Sequence, residues 1–305
     1  MDIFEQLHTA LTARCPSLEV RANEPMSRHL TFRLGGPVAL MALPRTEEEA
    51  AAAIRCAAEL GVEPFFLGNG SNLLVPDQGI RRFIVKMGSG FDKIRMEGTT
   101  LEADCGITLA RLACFARDHG LAGLEFAHGI PGSLGGAATM NAGAYGGEMK
   151  HVIRQVVCLN ARGEREVVTD FDYGYRHSVF SDGKRLLISV KLELTRDDPA
   201  AIKARMDELC ARRQSKQPLE FPSAGSVFKR PEGHFAGALV EGCGLKGLTV
   251  GGAQVSPKHA GFIVNIGGAT CADVLELVRQ IQEKVKAETG VDLEMEIRVL
   301  DSTEK

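Results

Sequence analysis

The chain has 305 residues, of which 44% are hydrophobic and 25% charged, and its formal net charge is −3. This balance excludes a strongly basic surface, so we expect neither nucleic acid nor an anionic membrane surface as a partner. The apolar run at 38–43 is too short to span a bilayer, and the first residues do not resemble a signal sequence. We therefore expect a cytoplasmic protein without membrane insertion.

The cysteine and histidine patterns do not indicate a metal site. The eight cysteines are scattered singly with no C-x-x-C pair, and the eight histidines show no ligand spacing. Zinc sites and disulfide frameworks are recognised by clustered spacings. We therefore predict free thiols in a reducing cytosol and no metal ion.

The first half of the chain alternates predicted helices and strands. Apolar residues recur at helical spacing over 1–15, and a helix at 47–60 opens after Pro44 and Thr46 with acidic residues in its first turn. In chain order we predict an N-terminal surface helix, a strand at 38–43, the helix at 47–60, strands at 64–67, 80–87, 93–97 and 101–105, and a helix at 109–119.

The second half opens with a predicted hairpin, because the strands at 151–159 and 164–169 flank the turn sequence Asn-Ala-Arg-Gly. The clearest helix is 270–289, with Thr270 and Asp273 in capping-box positions and Gly290 at its end. In chain order we further predict a strand at 185–195, a helix at 197–213, a boundary or active-site loop at 215–231, a short helix at 234–241, strands at 249–255 and 261–266, and an alternating strand at 291–299.

The stretch 128–147, HGIPGSLGGAATMNAGAYGG, is unusual because it contains seven glycines. Glycine weakens helices and strands, so this density indicates a large ligand lying against bare backbone. A flexible linker or a set of tight turns is the alternative, although apolar residues such as Leu134 and Met140 are unlike a linker. A second glycine-rich loop, 68–74, follows a predicted strand, where open α/β sheets bind nucleotides.

Common nucleotide motifs do not explain these loops. The segment 68–73 has leucine in place of the third glycine of G-x-G-x-x-G, and 242–247 matches those letters after a predicted helix rather than a strand. The sequence also lacks G-x-x-x-x-G-K-[ST]. Two loops of backbone amides that converge on one pyrophosphate would explain both stretches.

Five stretches are distinctive in combination. They are LGNGSNLL at 67–74, GIPGSLGG at 129–136, NAGAYG at 141–146, YRHS at 175–178 and AGSVFKRP at 224–231. Together they resemble the UDP-N-acetylenolpyruvoylglucosamine reductase family, flavoenzymes that make UDP-N-acetylmuramate for peptidoglycan. The resemblance extends from about Thr31 to Val299. The short chain and its Ser-Val-Phe sequence are similar to the second type of the family, which lacks a substrate-covering loop.

The resemblance implies an α+β fold of the PCMH or vanillyl-alcohol-oxidase type. Two subdomains would hold FAD, and an α/β C-terminal domain would bind substrate. The implied boundaries are 1–96 for the first FAD-binding subdomain, to which a C-terminal strand at 291–305 can return, 97–196 for the second, and 197–300 for the substrate domain.

The resemblance also implies the reaction and its cofactors. Hydride from NADPH would reach the terminal carbon of the enolpyruvyl group of UDP-N-acetylglucosamine enolpyruvate through FAD. The flavin is expected to be non-covalent, because 68–72 contains neither His nor Cys. The preference for NADPH follows from the resemblance and not from a motif. We expect a monomer, although the sequence does not determine the oligomeric state.

By resemblance, three residues are catalytic. Ser226 would be the general acid, and Arg176 would bind the enolpyruvyl carboxylate through its planar guanidinium. Glu296 would assist Arg176 at the developing enolate, although strand alternation alone does not distinguish it from Glu294. Met295 stands where the family often has proline, which leaves the register of this strand open. Without the resemblance, a turn-capping serine, a surface arginine and a solvated glutamate explain the same positions.

The glycine-rich stretches supply the residues expected to bind FAD, and other polar and aromatic residues are expected to bind the substrate. The FAD set is Gly68, Asn69, Gly70, Ser71, Asn72, Leu73, Ile130, Pro131, Gly132, Ser133, Gly135, Gly136, Asn141 and Gly143. The substrate set is Tyr145, Tyr175, Lys216, Lys229 and Arg230. The three basic residues suit the uridine diphosphate, and solvated loop side chains are the alternative. For Tyr145 the sequence does not distinguish a contact with the flavin from a contact with the substrate.

Two other functions remain open at this stage. An oxidase of the same flavin fold would form peroxide from O₂ and would leave the basic residues without a diphosphate. A nucleotide-sensing module that kept the fold would be insensitive to Ser226→Ala. A yellow protein that reduces the sugar nucleotide only with NADPH would distinguish the reductase from both.

Overall fold

The structure is a computed structural model, and it describes residues 2–300 of the chain. The chain divides into two compact units, each made of three segments. Unit 1 comprises Met1–Ala22, Leu40–Asn69 and Arg82–Arg212, and unit 2 comprises Asn23–Ala39, Gly70–Arg81 and Arg213–Lys305. The division into three domains stays a prediction, and part of the returning C-terminal strand, 301–305, lies outside the described residues.

Seven α-helices occur within residues 2–300. Threonine side chains cap the starts of three of them, Thr46, Thr108 and Thr270, each accepting a hydrogen bond from a backbone amide of the first turn. The helices are α1 (Ile3–Arg14), α2 (Glu47–Glu59), α3 (Leu109–Asp118), α4 (Leu134–Thr139), α5 (Pro199–Lys216), α6 (Ala236–Gly242) and α7 (Cys271–Thr289). Short 3₁₀ turns lie at Met26–Arg28, Glu125–Ala127 and Met149–His151.

The strands are mostly short. In the described chain they are β1 (Glu19–Pro25), β2 (Pro37–Leu43), β3 (Pro64–Leu67), β4 (Leu73–Leu74), β5 (Ile80–Lys86), β6 (Ile94–Glu97), β7 (Thr100–Asp104), β8 (Leu121–Ala122), β9 (Gly143–Ala144), β10 (Gly147–Glu148), β11 (Ile153–Leu159), β12 (Arg165–Val168), β13 (Leu186–Glu193), β14 (Thr195–Arg196), β15 (Thr249–Val250), β16 (Ala253–Val255), β17 (Ile263–Asn265) and β18 (Arg298–Val299).

Unit 1 contains a five-stranded antiparallel sheet in the order β12-β11-β13-β7-β6. The predicted hairpin of β11 and β12 is confirmed. Two apolar cores lie in this unit. One joins α3 and α4 to the sheet through residues such as Leu112, Leu134 and Val190, and the other joins α1 to α2 through residues such as Leu11 and Ile54.

Unit 2 is built around α7, whose inward face carries Val274, Leu277, Val278, Ile281 and Val285. Capping by Thr270 and termination at Gly290 are confirmed. Beside this helix stands the antiparallel sheet β15-β16-β17, while β18 pairs in parallel with β4. The remaining larger sheet has the order β1-β2-β5-β3, and its parallel pair, β3 with β5, lies in unit 1 over the paired residues 64–67 and 83–86.

The strand predicted at 249–255 is wrong as a single element. Gly251 and Gly252 turn the chain between β15 and β16, which pair antiparallel. A Cβ on Gly251 would collide with the Asp273 carboxylate, and one on Gly252 would collide with backbone near Gly267. The glycine pair therefore marks a turn packed against its neighbours, which apolar periodicity does not reveal.

The alternating strand predicted at 291–299 is also largely wrong, since only Arg298–Val299 forms a strand. Burial still alternates, with Leu293 and Ile297 buried and Glu294 exposed. The segment pairs with several separate pieces of chain, including an isolated bridge between Met295 and Phe228. Because its partner changes from Phe228 to β4 along its length, the segment does not form one continuous strand ladder.

The glycine-rich stretch contains a helix that the sequence did not predict, α4, although two of its six residues are glycine. No helix within residues 2–300 has both the length and the apolar character needed to cross a membrane. In the same part of the chain, no group of three or more His, Cys, Asp or Glu side chains is placed to hold a metal ion.

Candidate active site

The two glycine-rich loops meet inside unit 1. A Cβ on Gly68 would overlap the hydroxyl oxygen of Ser133, so the first loop lies directly on the second. Gly68 follows β3, whose partner β5 runs parallel to it. The convergence of the two loops, which the sequence predicted, therefore depends on the absence of a side chain at Gly68.

The first loop continues through Gly70 to Asn72 in unit 2. Gly70 has φ +59°, and a Cβ there would collide with the carbonyl oxygen of His29. The Asn72 side chain donates to the carbonyl oxygen of Glu296 at 3.0 Å, and its own carbonyl accepts from the amide of Arg298 at 3.1 Å. The loop is thereby joined to the segment that carries the predicted catalytic glutamate.

The second loop is fixed at the start of α4. Ser133 is buried and caps this helix, accepting from the Gly136 amide at 3.4 Å. The Gly135 amide donates to the Cys105 carbonyl at 2.9 Å, and a Cβ on Gly135 would lie 3.0 Å from the Cβ of Cys105. Pro131 and Gly136 remain exposed, so backbone on both sides of the buried serine is accessible.

Asn141 is 1% exposed, and its side chain is fully engaged within unit 1. Its amide nitrogen donates to Glu148 at 2.7 Å and to the carbonyl of Gly174 at 3.0 Å. Its oxygen accepts from the Lys150 amide at 3.0 Å. The predicted contact of Asn141 with FAD stays a prediction, and these bonds indicate that the side chain positions the neighbouring segments.

The bonds of Asn141 link the turns that carry Tyr145 and Arg176. Tyr145, with φ 52°, lies in the tight connection between β9 and β10, and Arg176, with φ 55°, lies between the bridged residues Gly174 and His177. Positive φ is uncommon for such residues and occurs often at functional sites. The Arg176 guanidinium lies 5.1 Å from the centre of the Tyr175 ring, which is itself exposed.

Ser226 and Glu296 lie on neighbouring segments of unit 2. The Glu296 amide donates to the carbonyl of Val227 at 2.8 Å, and Ser226 forms an antiparallel bridge with Phe262. Ser226 is exposed, whereas Glu296 is half-buried. Unit 2 therefore brings together the backbone at three predicted site residues, Ser226, Glu296 and Asn72.

Lys229 and Arg230 line a cavity of about 470 Å³ in unit 2, together with Pro231, Glu232, His234, Val291, Asp292 and Glu294. Lys229 pairs with Glu294 at 2.5 Å, and the Arg230 guanidinium lies 4.0 Å from the centre of the Phe235 ring. Lys216 is exposed at the end of α5. The ion pair places the Glu294 carboxylate beside Lys229 at the cavity.

The chain is similar over nearly its whole length to known proteins of one family. Residues 217–300 match the family model described as UDP-N-acetylenolpyruvoylglucosamine reductase, C-terminal domain, and residues 38–169 match an FAD binding domain. The reductase of that name from Alkaliphilus oremlandii is 45% identical over 295 residues, covering 96% of this chain and 97% of the relative. The chain belongs to the UDP-N-acetylenolpyruvoylglucosamine reductase family.

Two further matches agree with this membership of the UDP-N-acetylenolpyruvoylglucosamine reductase family. The reductase from Syntrophomonas wolfei is 45% identical over 287 residues, covering 93% of this chain and 96% of the relative. The crystal structure of the Thermus caldophilus reductase superposes with a TM-score of 0.81 at 35% identity, covering 92% of this chain and 99% of that one. The α+β fold with an FAD-binding domain, which the sequence predicted, is confirmed.

The residues of this reductase-family chain fit FAD. The domain match at 38–169 includes Gly68 and Ser133, where the glycine-rich loops lie against each other and the backbone at Pro131 and Gly136 is exposed. Backbone amides in such loops suit a pyrophosphate. The same range of the chain packs against Tyr173, whose buried hydroxyl has no hydrogen-bond partner among residues 2–300. A buried hydroxyl without a partner is unusual and suits a site that receives a polar ligand.

Sequence reasoning missed two residues beside these sites. Burial raises the pKa of Tyr173, so its hydroxyl stays protonated and can donate. His259 belongs to the turn that pairs with Ser226, and burial lowers the pKa of its imidazole. Neither residue lies in a spacing that the sequence marks as functional, and only the three-dimensional contacts identify them.

Proposed function

We propose that this chain reduces UDP-N-acetylglucosamine enolpyruvate to UDP-N-acetylmuramate with NADPH, through non-covalently bound FAD, in peptidoglycan precursor synthesis. The observation that carries the proposal is the pairing of the Ser226 and Glu296 segments in unit 2 of a chain from this reductase family. An exposed hydroxyl, on a segment that pairs through its backbone with the segment of a half-buried glutamate, suits the addition of a proton to a carbon that has become electron-rich.

Ser226 would supply the proton. When bound, FAD provides the route by which hydride from NADPH reaches the terminal carbon of the enolpyruvyl double bond. The electron pair of that bond moves to the neighbouring carbon and spreads into the carboxylate, and the Ser226 O–H then donates its proton to that carbon. Since Ser226 is exposed, its oxygen can recover a proton from water, which restores the hydroxyl for the next turnover.

Arg176 would bind the substrate carboxylate. A guanidinium offers parallel N–H donors to a carboxylate and stabilises the negative charge that grows there. The Tyr175 ring, 5.1 Å from the guanidinium carbon, and the constrained backbone at Arg176 limit the orientations of the side chain. We further assign Glu296 an assisting role at the enolate, supported by its backbone bond to Val227.

Lys229, Arg230 and Lys216 would bind the uridine diphosphate. Lys229 and Arg230 line the 470 Å³ cavity that begins three residues after Ser226, which supports a diphosphate near the end of this segment. Asp292 and Glu294 also line the cavity, so the positive charges of Lys229 and Arg230 are partly balanced by these two carboxylates. Arg230, held over Phe235, has the planar donor geometry that suits phosphate oxygens.

The experiment that tests the proposal separates the two half-reactions. In Ser226→Ala we expect reduction of the flavin by NADPH at the wild-type rate, and reoxidation of the reduced flavin by the enolpyruvyl substrate at least ~100-fold slower. Stopped-flow absorbance measures both steps, and Ser223→Ala in the same loop is the matched control. Equal losses in both half-reactions, or none in either, would contradict the acid role.

We also propose that the enzyme acts as a cytoplasmic monomer. All eight cysteines are free thiols in the described chain, which is typical of proteins from a reducing compartment. Size-exclusion chromatography with light scattering should give a mass near 32.8 kDa. A mass twice that value at micromolar concentration would overturn the monomer.

A further inference from the structure

A tight turn containing His259 supports the segment that carries Ser226. Ser226 and Phe262 form an antiparallel bridge, and the Val227 amide donates to the carbonyl of Gly261 at 2.9 Å. The Phe262 amide donates back to the carbonyl of His259 at 3.0 Å and closes the turn. The position of the Gly261 carbonyl therefore determines where Val227, and with it Ser226, can lie.

The imidazole of His259 is part of this turn. Its Nδ1 accepts from the Gly261 amide at 3.0 Å, and its ring meets the Phe262 ring edge-on with the centres 5.0 Å apart. A Cβ on Gly237 of α6 would lie 3.3 Å from Cε1 of the ring. The hydroxyl of Ser256 accepts from the His259 amide at 3.2 Å. Phe262 and α6 therefore both contact the ring, and the bond to Ser256 fixes the backbone of His259.

The bond to Gly261 requires the neutral imidazole. Nδ1 can accept only when it carries no proton, so the proton of the neutral ring resides on Nε2. Protonation would place an N–H on Nδ1, facing the Gly261 N–H, and this bond would be lost. The Ala260–Gly261 peptide would then lose its bond to the ring, and the adjoining Gly261–Phe262 peptide, whose carbonyl accepts from Val227, would be held in the turn only by the Phe262 bond to the His259 carbonyl.

We propose that neutral His259 is a positioning residue for Ser226. Through the Gly261 amide it fixes the peptide that adjoins the one accepting from Val227, and so it helps to align the Ser226 hydroxyl for proton donation. This inference rests on the role proposed above for Ser226. It predicts that reoxidation of the reduced flavin by the substrate, the step that needs the Ser226 proton, slows at low pH as His259 becomes protonated. The rate of flavin reduction by NADPH should not change over the same pH range.

The surroundings of the ring place this failure below pH 6.5. Burial lowers the pKa of His259 from its ordinary 6.5, and Lys246 and Lys216 lower it further, while a hydrogen bond with its own backbone and the charge of Glu241 act in the opposite direction without reversing the shift. Lys258, next in the chain, pairs with Glu220 at 3.6 Å. The charged groups around the ring are Lys216, Glu220, Glu241, Lys246 and Lys258. The neutral form therefore persists to a lower pH than that of a free histidine.

The test compares His259→Asn with His259→Leu. Asparagine retains an oxygen acceptor near the position of Nδ1 but does not titrate, whereas leucine removes the acceptor. We expect the flavin-reoxidation rate of the wild-type holoenzyme with substrate to fall below pH 6.5. His259→Asn should keep a rate within about threefold of wild type at neutral pH and lose the acid fall. His259→Leu should be ~10- to 100-fold slower at every pH, because small misplacements of a reacting group have effects of this size.

Controls and a second readout make the outcomes decisive. His8→Asn on the exposed side of α1 should match wild type throughout. If His259→Asn keeps the acid fall, or His259→Leu reoxidises like wild type, the inference is overturned. If wild-type holoenzyme transfers no hydride to the substrate, the proposed function fails instead. In that case ¹⁵N NMR of the His259 ring still tests the positioning role, since protonated Nδ1 at neutral pH would overturn it.

Discussion

At the scale of single residues, the contact of Gly68 with Ser133 gives the sharpest prediction. A methyl group on Gly68 would overlap the Ser133 hydroxyl, which must rotate and release the amide of Gly136. Loss of such a helix cap lowers the free energy of unfolding by ~1 kcal/mol. We therefore expect Gly68→Ala to destabilise the apoprotein by about this amount, measured by urea unfolding.

A double-mutant cycle supplies the control for the Gly68 substitution. In Ser133→Ala the cap is already lost, and the remaining Cβ would lie 3.5 Å from a methyl group on Gly68, an ordinary contact. The double variant should therefore be no less stable than Ser133→Ala alone, giving a coupling of ~1 kcal/mol. Additive losses in the cycle would mean that the two loops do not touch in solution.

The buried hydroxyl of Tyr173 leads to a second prediction at this scale. A buried polar group without a partner destabilises a fold by ~1–3 kcal/mol, and this hydroxyl has no hydrogen-bond partner in the described part of the chain. Tyr173→Phe should therefore raise the free energy of unfolding of the apoprotein by ~1 kcal/mol. Tyr175→Phe, on a ring that is 56% exposed, is the matched control and should change little. A loss of stability in Tyr173→Phe would show that the hydroxyl is satisfied.

Residue chemistry determined how far the site was predictable. The glycine loops were predicted because a high density of glycine is visible in the sequence. Tyr173 and His259 belong to no recognisable sequence pattern, so they were not predicted. Alternation placed Glu294 and Glu296 on one face and did not choose between them. The structure separates them through partners distant in sequence, because Lys229 pairs with Glu294 and Val227 binds the backbone of Glu296.

At the scale of elements, the start of α7 gives a pH-dependent prediction. Bonds from the amide and hydroxyl of Thr270 lower the pKa of Asp273, and the Gly252 amide adds to the effect. Its pKa is therefore lower in the folded chain than in the unfolded one. The stability contributed by this carboxylate is present above pH ~4 and is lost as pH falls through the folded pKa.

Asp273→Asn tests this linkage. At pH 7 we expect the variant to be ~1 kcal/mol less stable than wild type, because the charge at the helix start and one reciprocal cap are weakened. The difference should shrink as the pH falls below ~4 and the wild-type carboxyl takes up its proton. Urea unfolding across this range measures it. A difference that grows on acidification would contradict the assigned sign.

Elements were predictable where their signals are local. The cap, the apolar face and the ending of α7 lie within its own sequence, and all are confirmed. The segment 291–299 has a clear alternation, but its neighbours Val227, Phe228 and Asn72 come from separate stretches of the chain. Helix α4 forms against local propensity, because its buried Leu134, Ala137 and Ala138 pack in the core of unit 1.

At the scale of the whole molecule, FAD binding should leave a pattern along the sequence. A ligand that binds only the folded protein stabilises it by about 2.7 kcal/mol at a concentration one hundred times its dissociation constant. Amides in direct contact gain additional protection against hydrogen exchange. We therefore expect FAD to slow exchange most in 68–73 and 130–136, measured by mass spectrometry of the apoprotein with and without FAD.

The enolpyruvyl substrate should protect a different set of amides. Added to FAD-loaded protein, it should slow exchange at 226–230 and around Arg176, while FAD alone leaves those segments closer to the apoprotein. Peptides from the exposed side of α1 report global stabilisation only and serve as the internal reference. If FAD protects 226–230 more than 68–73, the assignment of the glycine loops to the cofactor is wrong. The segment 226–230 would then have to be reassigned from the substrate to the cofactor, because the proposed arrangement gives each ligand its own segments of the chain.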